Sequence, residues 1–589
     1  MDYDSLTSLP AMFFANTGEI GDRPFLWAKR DGDWQPTTGS DAHNQAAALT
    51  NALMSLGVAK GDRVALVAES RPEWMVADIS IMAAGGIAVP AYTTNQVSDH
   101  VHVLRDSGAK GAIVSGPALA KNLLPAAAEV GLDFIISMEE ISGAPQGTSV
   151  HLWDDLIASH GGEVPDVGGV ARTDTSCLIY TSGTGGVPKG VMLSHGAIIS
   201  NCKGAYDLLL NLGLDDEKFL SFLPLSHSYE HTAGLMFPLS IKAQIYYAEG
   251  VDKLAANMEE VSPTIMTAVP RLYETMHGRI VRGVQQKGGL SEKLFMKAVE
   301  TGRKKYEGDR LSLGEALLDP LLTKLVRKKV AGRFGGRLKA MVSGGAPLNY
   351  DIGTFFKSLD VPLLQGYGQT ESAPIISCNL PTKNKIHTVG PKFVDVELKI
   401  AEDGEILVKG ELVMQGYWNM PDATAEAITD GWLHTGDIGK IDEDGFLMIT
   451  DRKKDIIVNS GGDNIAPQRI EGFLTLQPEI AQAMVYGDKK PNLVALIVPD
   501  PDFLSDWAKE NGKPKDAAAL AEDAGFRKAI SAAIDRVNAD LSVIERVRRF
   551  IVVAEPFTIE NEMMTPSLKI RRHIIRERYG DALEALYVR

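Results

Sequence analysis

The sequence predicts an α/β protein with a large N-terminal domain of two parallel-type sheets and helices, an antiparallel β sub-domain, and a small α+β C-terminal domain. Apolar runs of strand length alternate with helix-like segments between residues 63 and 368, which is typical of parallel sheets covered by helices. Short alternating strands with Asp-Gly turns follow between residues 394 and 450. At 589 residues the chain is too long for one hydrophobic core, so more than one domain is expected.

Composition excludes several classes of protein. Hydrophobic residues make up 44% and charged residues 23%, as in ordinary globular proteins, and no apolar run approaches the length of a membrane span. The net charge of −16 argues against a general nucleic-acid binder. The acidic start lacks the features of a signal peptide, and the three cysteines are far apart, so we expect a cytoplasmic protein without disulfides or a zinc site.

The first elements alternate in type along the chain. We predict helices over residues 41–56 and 72–82, and strands at residues 63–68, 85–90, 111–114 and 134–136. In parallel sheets, ligands bind beyond the carboxyl ends of the strands. The residues that directly follow each apolar run are therefore the candidates for a binding site.

A Thr/Ser/Gly-rich loop follows the apolar run Cys177-Leu178-Ile179. It spans Tyr180 to Gly190 and contains one lysine, Lys189. Glycines can turn backbone N–H groups inward and hydroxyls add donors, so the loop suits a polyphosphate, although a flexible surface turn is the plain alternative. A Walker P-loop is excluded, because Pro188 and Gly190 stand where that motif needs Gly and Ser/Thr. The candidate phosphate-binding residues are Thr181, Ser182, Gly183, Thr184, Gly185 and Lys189.

Three later strand ends carry polar or glycine-rich tips. After a helix over residues 194–210, we predict a strand from Phe219 to His227, although a lone histidine there is more often structural. The strand at residues 338–342 ends in a Gly pair that lets a flat ring lie against bare backbone, unless it is a plain turn. The strand starting at Pro362 runs into Tyr367, which can stack on a base, and Glu371, which can bind Mg²⁺.

Residues 280–339 form a basic helical insert with 15 Lys/Arg and 6 Asp/Glu. The excess of basic residues is explained either by a solvated helical face or by a patch that rests on anionic lipid. Neutralising Arg327, Lys328 and Lys329 would test the second explanation, because it should weaken binding to anionic vesicles. Peripheral contact at the inner face of a membrane therefore stays open.

The antiparallel region leads into the second domain. Asp-Gly turns at residues 402–405 and 443–446 indicate hairpins, and Asp437 sits on a turn where its carboxylate could accept both ribose hydroxyls. We predict strands at residues 482–486 and 493–498 and helices near 468–474 and 517–541.

In this order the motifs resemble those of the AMP-forming adenylating enzymes, and the span Asp430–Asp455 is similar to the signature segment of fatty acyl-CoA synthetases. Leu568, directly before Lys569, resembles the variant found in the long-chain type. The resemblance implies that Asp437 binds ribose, Arg452 contacts phosphate, and His227 and Lys569 are catalytic. It also assigns adenine and ribose binding to the following residues: Gly344, Gly345, Ala346, Gln365, Gly366, Tyr367, Gly368 and Thr370.

The same resemblance implies a mobile C-terminal domain. The N-terminal domain would comprise residues 1–450, the hinge residues 451–454 with Lys454, and the C-terminal domain residues 455–589. Gly461 and Gly462 would lie on a loop beside the path of coenzyme A. A charged linker also explains the basic run there, and that interpretation does not conflict with a hinge. His231 takes the place of an acyl gate that is Trp in some members, which leaves the chain length of the substrate open.

The implied activity is ligation of a fatty acid to coenzyme A through an acyl-adenylate, with ATP, Mg²⁺ and coenzyme A required. The alternatives are a fatty acyl-AMP ligase that loads an acyl-carrier protein, a luciferase-like oxidation, and a nucleotide-binding regulator without catalysis. Oligomeric state is not predicted, and a homodimer is compatible with the sequence.

Overall fold

The computed structural model describes residues 2–161, 163–181, 187–453, 455–461, 463–565 and 569–588. Its strands, in chain order, are β1 Pro24–Arg30, β2 Asp33–Thr38, β3 Arg63–Val67, β4 Ile87–Pro90, β5 Gly111–Val114, β6 Phe134–Ser137, β7 Ser149–Leu152, β8 Thr175–Thr181, β9 Lys189–Ser194, β10 Lys218–Ser221, β11 Gln244–Tyr247, β12 Ile265–Ala268, β13 Ala340–Ser343, β14 Leu363–Gly368, β15 Ile375–Cys378, β16 Glu397–Ile400, β17 Glu405–Lys409, β18 Gly416–Tyr417, β19 Ile428–Thr429, β20 Trp432–Ile441, β21 Leu447–Arg452, β22 Ile457–Val458, β23 Asn464–Ile465, β24 Ile480–Tyr486, β25 Leu493–Pro499 and β26 Val547–Val552.

The helices surround these strands. They are α1 Leu9–Ile20, α2 Gly39–Ser55, α3 Pro72–Ala83, α4 Val97–Ser107, α5 Pro117–Val130, α6 Trp153–Ser159, α7 His195–Leu209, α8 Phe237–Ser240, α9 Leu254–Val261, α10 Pro270–Lys287, α11 Gly289–Glu307, α12 Leu313–Leu322, α13 Lys328–Arg333, α14 Tyr350–Ser358, α15 Pro421–Ala427, α16 Pro467–Leu474, α17 Pro501–Glu510, α18 Ala517–Glu522, α19 Ala524–Asp540 and α20 Arg572–Ala585. Two π-helical turns, Glu230–Met236 and Thr323–Arg327, interrupt the regular helices.

Two eight-stranded sheets form the N-terminal domain, as the sequence predicts. Their orders are β7-β6-β5-β3-β4-β8-β9-β18 and β2-β1-β11-β10-β12-β13-β14-β15. Most pairs in both sheets are parallel, such as β3–β4 and β3–β5. The antiparallel pairs are β8–β9 and β9–β18 in the first sheet and β1–β2 and β14–β15 in the second. Central strands such as β5 and β6 are buried along their whole length, because helices cover both faces of the sheet.

The antiparallel sub-domain lies between the large sheets and the C-terminal strands. It orders its strands β16-β17-β20-β19, with β21 paired to β20. The Asp-Gly turns at residues 402–405 and 443–446 connect β16 to β17 and β20 to β21, so both predicted hairpins are confirmed. The C-terminal region adds the three-stranded sheet β24-β25-β26 with its own buried cores.

The structure corrects two of the predicted elements and adds a third. The strand predicted from Phe219 to His227 ends at Ser221, and the His227 N–H instead closes a turn on the Pro224 carbonyl. The helix predicted over residues 517–541 is two helices, because the Asp523 carboxylate caps a new helix start. The strand β9 after the glycine-rich loop was not predicted.

The basic insert is helical, as predicted, and comprises α10 to α13 with the second π-helical turn. Among the described residues, no helix combines the length and the hydropathy that crossing a bilayer requires.

Candidate functional site

The β8–β9 hairpin joins the two ends of the glycine-rich loop. Thr181 pairs with Lys189 across the antiparallel register, so the loop starts and ends at one place on the sheet. Ser182, Gly183, Thr184 and Gly185 lie outside the described residues. Their proposed contacts with phosphate therefore stay predictions, and the described part of the motif is its two ends.

Lys189 begins a row of three side chains. Its ammonium lies 4.7 Å from the centroid of the Tyr417 ring, and the Tyr417 hydroxyl donates to Glu371 Oε1 at 2.9 Å. Burial and the Glu371 charge raise the pKa of the Tyr417 hydroxyl, so it stays a donor. Tyr417 thus connects the phosphate-side lysine to the predicted metal ligand.

Sequence reasoning missed Tyr417, although it occupies the centre of this row. Strand β18 places it there by pairing Tyr417 with Val191 of β9. The Trp418 N–H continues the ladder by donating to the Gly190 carbonyl at 2.7 Å. The only local signal is a pair of aromatic residues in a short segment between hairpins, and that pattern alone does not indicate a binding site.

Asp437 lies at the centre of a second group. Register in the β20–β21 hairpin sets Asp437 opposite Arg452, and Arg452 Nε donates to Asp437 Oδ1 at 3.2 Å. The Tyr367 hydroxyl donates to Asp437 Oδ2 at 2.7 Å. Each carboxylate oxygen keeps a further lone pair, so the acceptor capacity that a ribose diol needs remains.

The Gly344–Ala346 segment offers open backbone beyond β13. A Cβ on Gly344 would lie 2.9 Å from the Tyr229 ring, whose hydroxyl donates to the Val342 carbonyl at 2.8 Å. Gly345 has φ +82°, and of the described residues only Val269 would lie within 4 Å of a Cβ there. Both Gly345 and Ala346 are exposed. Gly344 is therefore required for packing beneath the loop, whereas Gly345 faces the open side.

The β14 segment is shaped by its neighbours. A Cβ on Gly368 would lie 1.8 Å from the Pro374 carbonyl oxygen, so no side chain fits at that position, and a Cβ on Gly366 would meet the Ser377 carbonyl at 3.4 Å. The Thr370 hydroxyl is buried against that of Ser228 at 3.0 Å.

Gln365 uses its whole side-chain amide on the backbone. Its Oε1 accepts from the Leu348 N–H at 3.0 Å, and its Nε2 donates to the carbonyls of Ile386 and Thr388. The side chain therefore anchors the loop after Gly344–Ala346, and its amide group has no N–H donor left for a base.

His227 presents one ring nitrogen to the site. The Tyr229 N–H donates to His227 Nδ1 at 3.2 Å, so the proton of the neutral ring is on Nε2. Burial and the nearby Lys569 ammonium lower the pKa of His227 to about 4, which keeps the ring uncharged at neutral pH. His227 can therefore donate a neutral hydrogen bond from Nε2.

Lys569 enters this group from the C-terminal domain. Its backbone N–H donates to Thr565 Oγ1 at 3.0 Å, and the Thr565 N–H donates back to the Lys569 carbonyl at 2.8 Å. Burial and the Arg452 charge lower the pKa of Lys569 to about 8, against the opposing charges of Asp437 and Glu371. The ammonium therefore lies among the groups that line the N-terminal side of the site.

His231 lies deeper, in the first π-helical turn. Its Nε2 contacts Asp78 Oδ2 at 2.8 Å, and both side chains are fully buried. The Trp74 ring packs edge-on against it with centroids 5.7 Å apart. Its role as an acyl gate stays a prediction, and the pair with Asp78 is what holds the imidazole in place.

The predicted hinge and the Gly461 loop are described only in part. Lys454 and Gly462 fall outside the described residues. Next to the hinge, the Lys453 ammonium contacts Asp403 at 2.7 Å and Glu405 at 3.0 Å. The exposed Gly461 N–H donates to Asn459 Oδ1 at 2.8 Å, so its loop closes on itself at the surface.

A magnesium site would depend on Glu371. No group of three or more His, Cys, Asp or Glu side chains among the described residues could hold a metal ion. Within that same part of the chain, Glu371 forms no ion pair, and its hydrogen bond from Tyr417 occupies only Oε1. One carboxylate with free acceptor capacity fits Mg²⁺, which usually takes one or two carboxylates and completes its shell with phosphates and water.

Comparison with known proteins agrees with this geometry. The family model described as AMP-binding enzyme matches residues 13–418, and that described as AMP-binding enzyme C-terminal domain matches residues 454–589. The chain belongs to the AMP-binding enzyme family. In this family member the match to the C-terminal domain model begins at residue 454, the predicted hinge residue.

The curated relatives of this AMP-binding enzyme extend over nearly the full chain. The long-chain-fatty-acid–CoA ligase FadD15 of Mycobacterium tuberculosis is 34% identical over 591 residues, covering 98% of this chain and 97% of that protein. The peroxisomal long chain acyl-CoA synthetase 7 of Arabidopsis thaliana is 32% identical, covering 94% of this chain and 82% of that protein.

Solved structures show the same fold. The adenylation domain of a carboxylate reductase from Mycobacterium chelonae has a TM-score of 0.76 at 22% identity, covering 99% of this chain and 92% of that one. The O-succinylbenzoate coenzyme A synthetase of Bacillus subtilis, in complex with AMP, has a TM-score of 0.68 at 22% identity, covering 95% of this chain and 97% of that one. The predicted fold class is confirmed.

Proposed function

We propose that this protein ligates a long-chain fatty acid to coenzyme A through an acyl-adenylate, using ATP and releasing AMP and pyrophosphate. The observation that supports it most directly is the position of Lys569, which is buried near Arg452 of the predicted hinge and near Asp437 and Glu371 of the N-terminal domain, whose charges act on its pKa. The names of the full-length relatives point to the same reaction and to long-chain substrates.

In the first step, a carboxylate oxygen of the fatty acid attacks the α-phosphorus of ATP, and the bond to pyrophosphate breaks. The Lys569 ammonium would contact the carboxylate and the α-phosphate oxygens, and so offset the negative charge that gathers between them. Lys189 and the Thr181–Gly185 loop would hold the departing pyrophosphate. Mg²⁺ held on Glu371 would supply charge compensation on the triphosphate.

The nucleoside would lie along the β13 and β14 strand ends. Gly345 and Ala346 offer open backbone, the Tyr367 ring offers a face, and Asp437 offers acceptors for the ribose hydroxyls. The neutral His227 would donate from Nε2 to a carboxylate oxygen of the acid. These roles are proposals that rest on the positions of the side chains.

In the second step, a thiol of coenzyme A attacks the acyl carbon, loses its proton, and displaces AMP. Lys569 would obstruct that approach where the structure places it. A rotation of the C-terminal domain about Lys454 would withdraw it and bring the Gly461–Gly462 loop toward the thiol path. The surface position of Gly461 fits an arrangement set for the first step.

A substrate panel tests the proposal. The enzyme is incubated with ATP, Mg²⁺, coenzyme A and fatty acids from short to long, with aryl acids included, and AMP and acyl-CoA are quantified. We expect AMP and acyl-CoA in equal amounts and a preference for long chains. Release of ADP would exclude the reaction class, and adenylate formation that needs an acyl-carrier protein for turnover would favour the carrier-loading alternative.

We also propose a cytoplasmic enzyme that contacts an anionic membrane peripherally. The support is the balance of 15 basic to 6 acidic residues over 280–339. The fatty acid, ATP and coenzyme A are its proposed small-molecule partners, and a homodimer remains compatible with the chain.

A further inference from the structure

A line of exposed leucines runs along α12 and the π-helical turn that follows it. Leu313, Leu317, Leu321 and Leu325, here called the leucine stripe, are 87%, 83%, 47% and 37% exposed. They recur every four residues, so their side chains follow one another along one face of the helix. Contiguous exposed apolar surface of this kind marks an interaction site more often than isolated surface leucines do.

The acidic side of α12 holds the stripe outward. Glu315 Oε1 accepts from the Lys297 ammonium at 2.9 Å and from the Lys304 ammonium at 2.6 Å. Asp319 Oδ1 accepts from Arg327 Nη1 at 2.8 Å. The helix therefore turns its carboxylates toward the protein, because their cationic partners lie there, and the leucines are left facing away.

Two further features lock this orientation. Ser312 and Glu315 form a capping box at the start of α12, which fixes where the helix begins. Leu322 and Val326 are buried on the inner side, next to the stripe's own Leu321 and Leu325. The exposure of the leucines is thus set by the packing of the whole helix.

Basic side chains border the stripe at its C-terminal end. Lys324, Lys328 and Lys329 are exposed, and none of them forms an ion pair with another described residue. Lys324 is three residues beyond Leu321, and Lys328 is four beyond Lys324, so they continue the same face. Long lysine side chains can keep their charge at a lipid headgroup while the stem lies along apolar surface.

Arg327 does not belong to this border, contrary to the sequence-based expectation. Its side chain is 2% exposed, and besides Asp319 it donates to the carbonyls of Ser358 and Ala298. Its charge therefore holds α11, α12 and the end of α14 together. A test of lipid contact that removes Arg327 would damage this packing.

We propose that the leucine stripe is a docking surface for an anionic lipid bilayer, with the leucines in the interface and Lys324, Lys328 and Lys329 on lipid phosphates. An apolar line beside unpaired cations is the pattern of helices that lie in a membrane surface. A second copy of this chain is a poorer occupant, because a two-fold contact presents the same leucines and lysines from both sides and so offers the unpaired lysines no anionic partner.

Vesicle sedimentation tests the surface directly. Wild-type enzyme is spun with vesicles of phosphatidylcholine alone or with phosphatidylglycerol added, at low and high salt. We expect binding to the anionic vesicles that weakens with salt. Leu313→Ser/Leu317→Ser should lower the partition coefficient about tenfold or more, and Lys324→Gln/Lys328→Gln/Lys329→Gln about fivefold for each charge removed.

A matched control uses exposed apolar residues outside the insert. Leu210→Ser/Val543→Ser, at positions 48% and 66% exposed, should bind vesicles like the wild type. All variants should keep the same ATP–pyrophosphate exchange with a water-soluble acid, because none of these residues lines the proposed site. Equal vesicle binding by the leucine-stripe variant and the wild type would overturn the proposal.

A probe at the stripe separates insertion from simple charge attraction. The three native cysteines are buried, so an environment-sensitive dye can be placed on Leu317→Cys, with Val543→Cys as its control. We expect the dye at residue 317 alone to brighten with anionic vesicles. If it brightens instead with protein concentration in the absence of lipid, and sedimentation velocity shows a dimer that Leu313→Ser/Leu317→Ser abolishes, the surface is a contact between copies and the proposal fails.

Discussion

Lys569 is the residue whose charge state should limit adenylate formation. Its pKa of about 8 in the folded enzyme means that the ammonium is lost as pH rises through that value. Because kcat/KM reports the free enzyme, kcat/KM for ATP–pyrophosphate exchange should fall above about pH 8. Bound ATP stabilises the cation, so the fall in kcat should lie at higher pH.

Substitution separates the charge of Lys569 from its other contributions. Lys569→Ala should lower adenylate formation by about 10²–10³-fold, the usual cost of one preorganised donor, while thioester formation from supplied acyl-adenylate persists. Lys569→Arg keeps a cation at all working pH values and should remove the alkaline fall in kcat/KM. Equal loss of both half-reactions in Lys569→Ala would contradict its assignment to the first step.

Glu230 is a buried carboxylic acid that should make stability depend on pH. It accepts from Ser221 Oγ at 2.6 Å and from Thr267 Oγ1 at 2.5 Å, and burial raises its pKa from 4.5 to about 7. The folded state therefore binds the proton more tightly than the unfolded state does. The free energy of unfolding should fall as pH rises from about 4.5 to 7, by on the order of 3 kcal/mol.

Urea titrations at pH 5, 6, 7 and 8 measure this effect against Glu230→Gln. The glutamine keeps the shape of the side chain and cannot ionise. As pH rises, the free energy of unfolding of the wild type should therefore fall relative to that of the variant. A difference that is independent of pH would show that Glu230 does not titrate in this range.

At the scale of elements, the two glycines after β13 have separable roles. Gly344→Ala places a Cβ 2.9 Å from the Tyr229 ring and should lower stability, by roughly 1–3 kcal/mol, with the KM for ATP changed less. Gly345→Ala adds its methyl on the open side but at φ +82°, so it should raise the KM for ATP as well as cost some stability. Melting temperatures and exchange kinetics of the two variants distinguish these roles, and identical profiles would contradict the separation.

The elements also show what sequence can predict here. Apolar runs located the β8, β13 and β14 ends, because a buried parallel strand must be apolar along its length. Tyr417 was missed, since its place beside Lys189 depends on β18 pairing with a strand more than two hundred residues earlier. The leucines of α12 have the spacing of a core face, yet they point outward, because periodicity shows that a helix has an apolar side and not where that side faces.

At the scale of the whole molecule, domain rotation should be required for the second step only. Arg282 of α10 and Asp502 of α17 form an exposed pair at 2.7 Å between the domains. Arg282→Cys/Asp502→Cys, joined by a cleavable bifunctional thiol reagent, should still form acyl-adenylate and should lose thioester formation. Reduction of the reagent should restore it.

The control joins two positions within the N-terminal domain. Glu19→Cys/Lys242→Cys replaces another exposed pair and should leave both half-reactions intact when it is cross-linked. If the link between the domains leaves thioester formation unchanged, the rotation is not needed and the role proposed for the hinge is wrong.

The lowered pKa of Lys569 also makes domain rotation a proton-linked equilibrium. In water the same amine would return toward 10.5, so withdrawing it between about pH 8 and 10.5 takes up a proton from the buffer. Alkaline solution should therefore favour the domain arrangement in which Lys569 is buried in the site, and should slow the rotation that precedes attack by the thiol. The conformational balance of the free enzyme would then respond to the acidity of its surroundings.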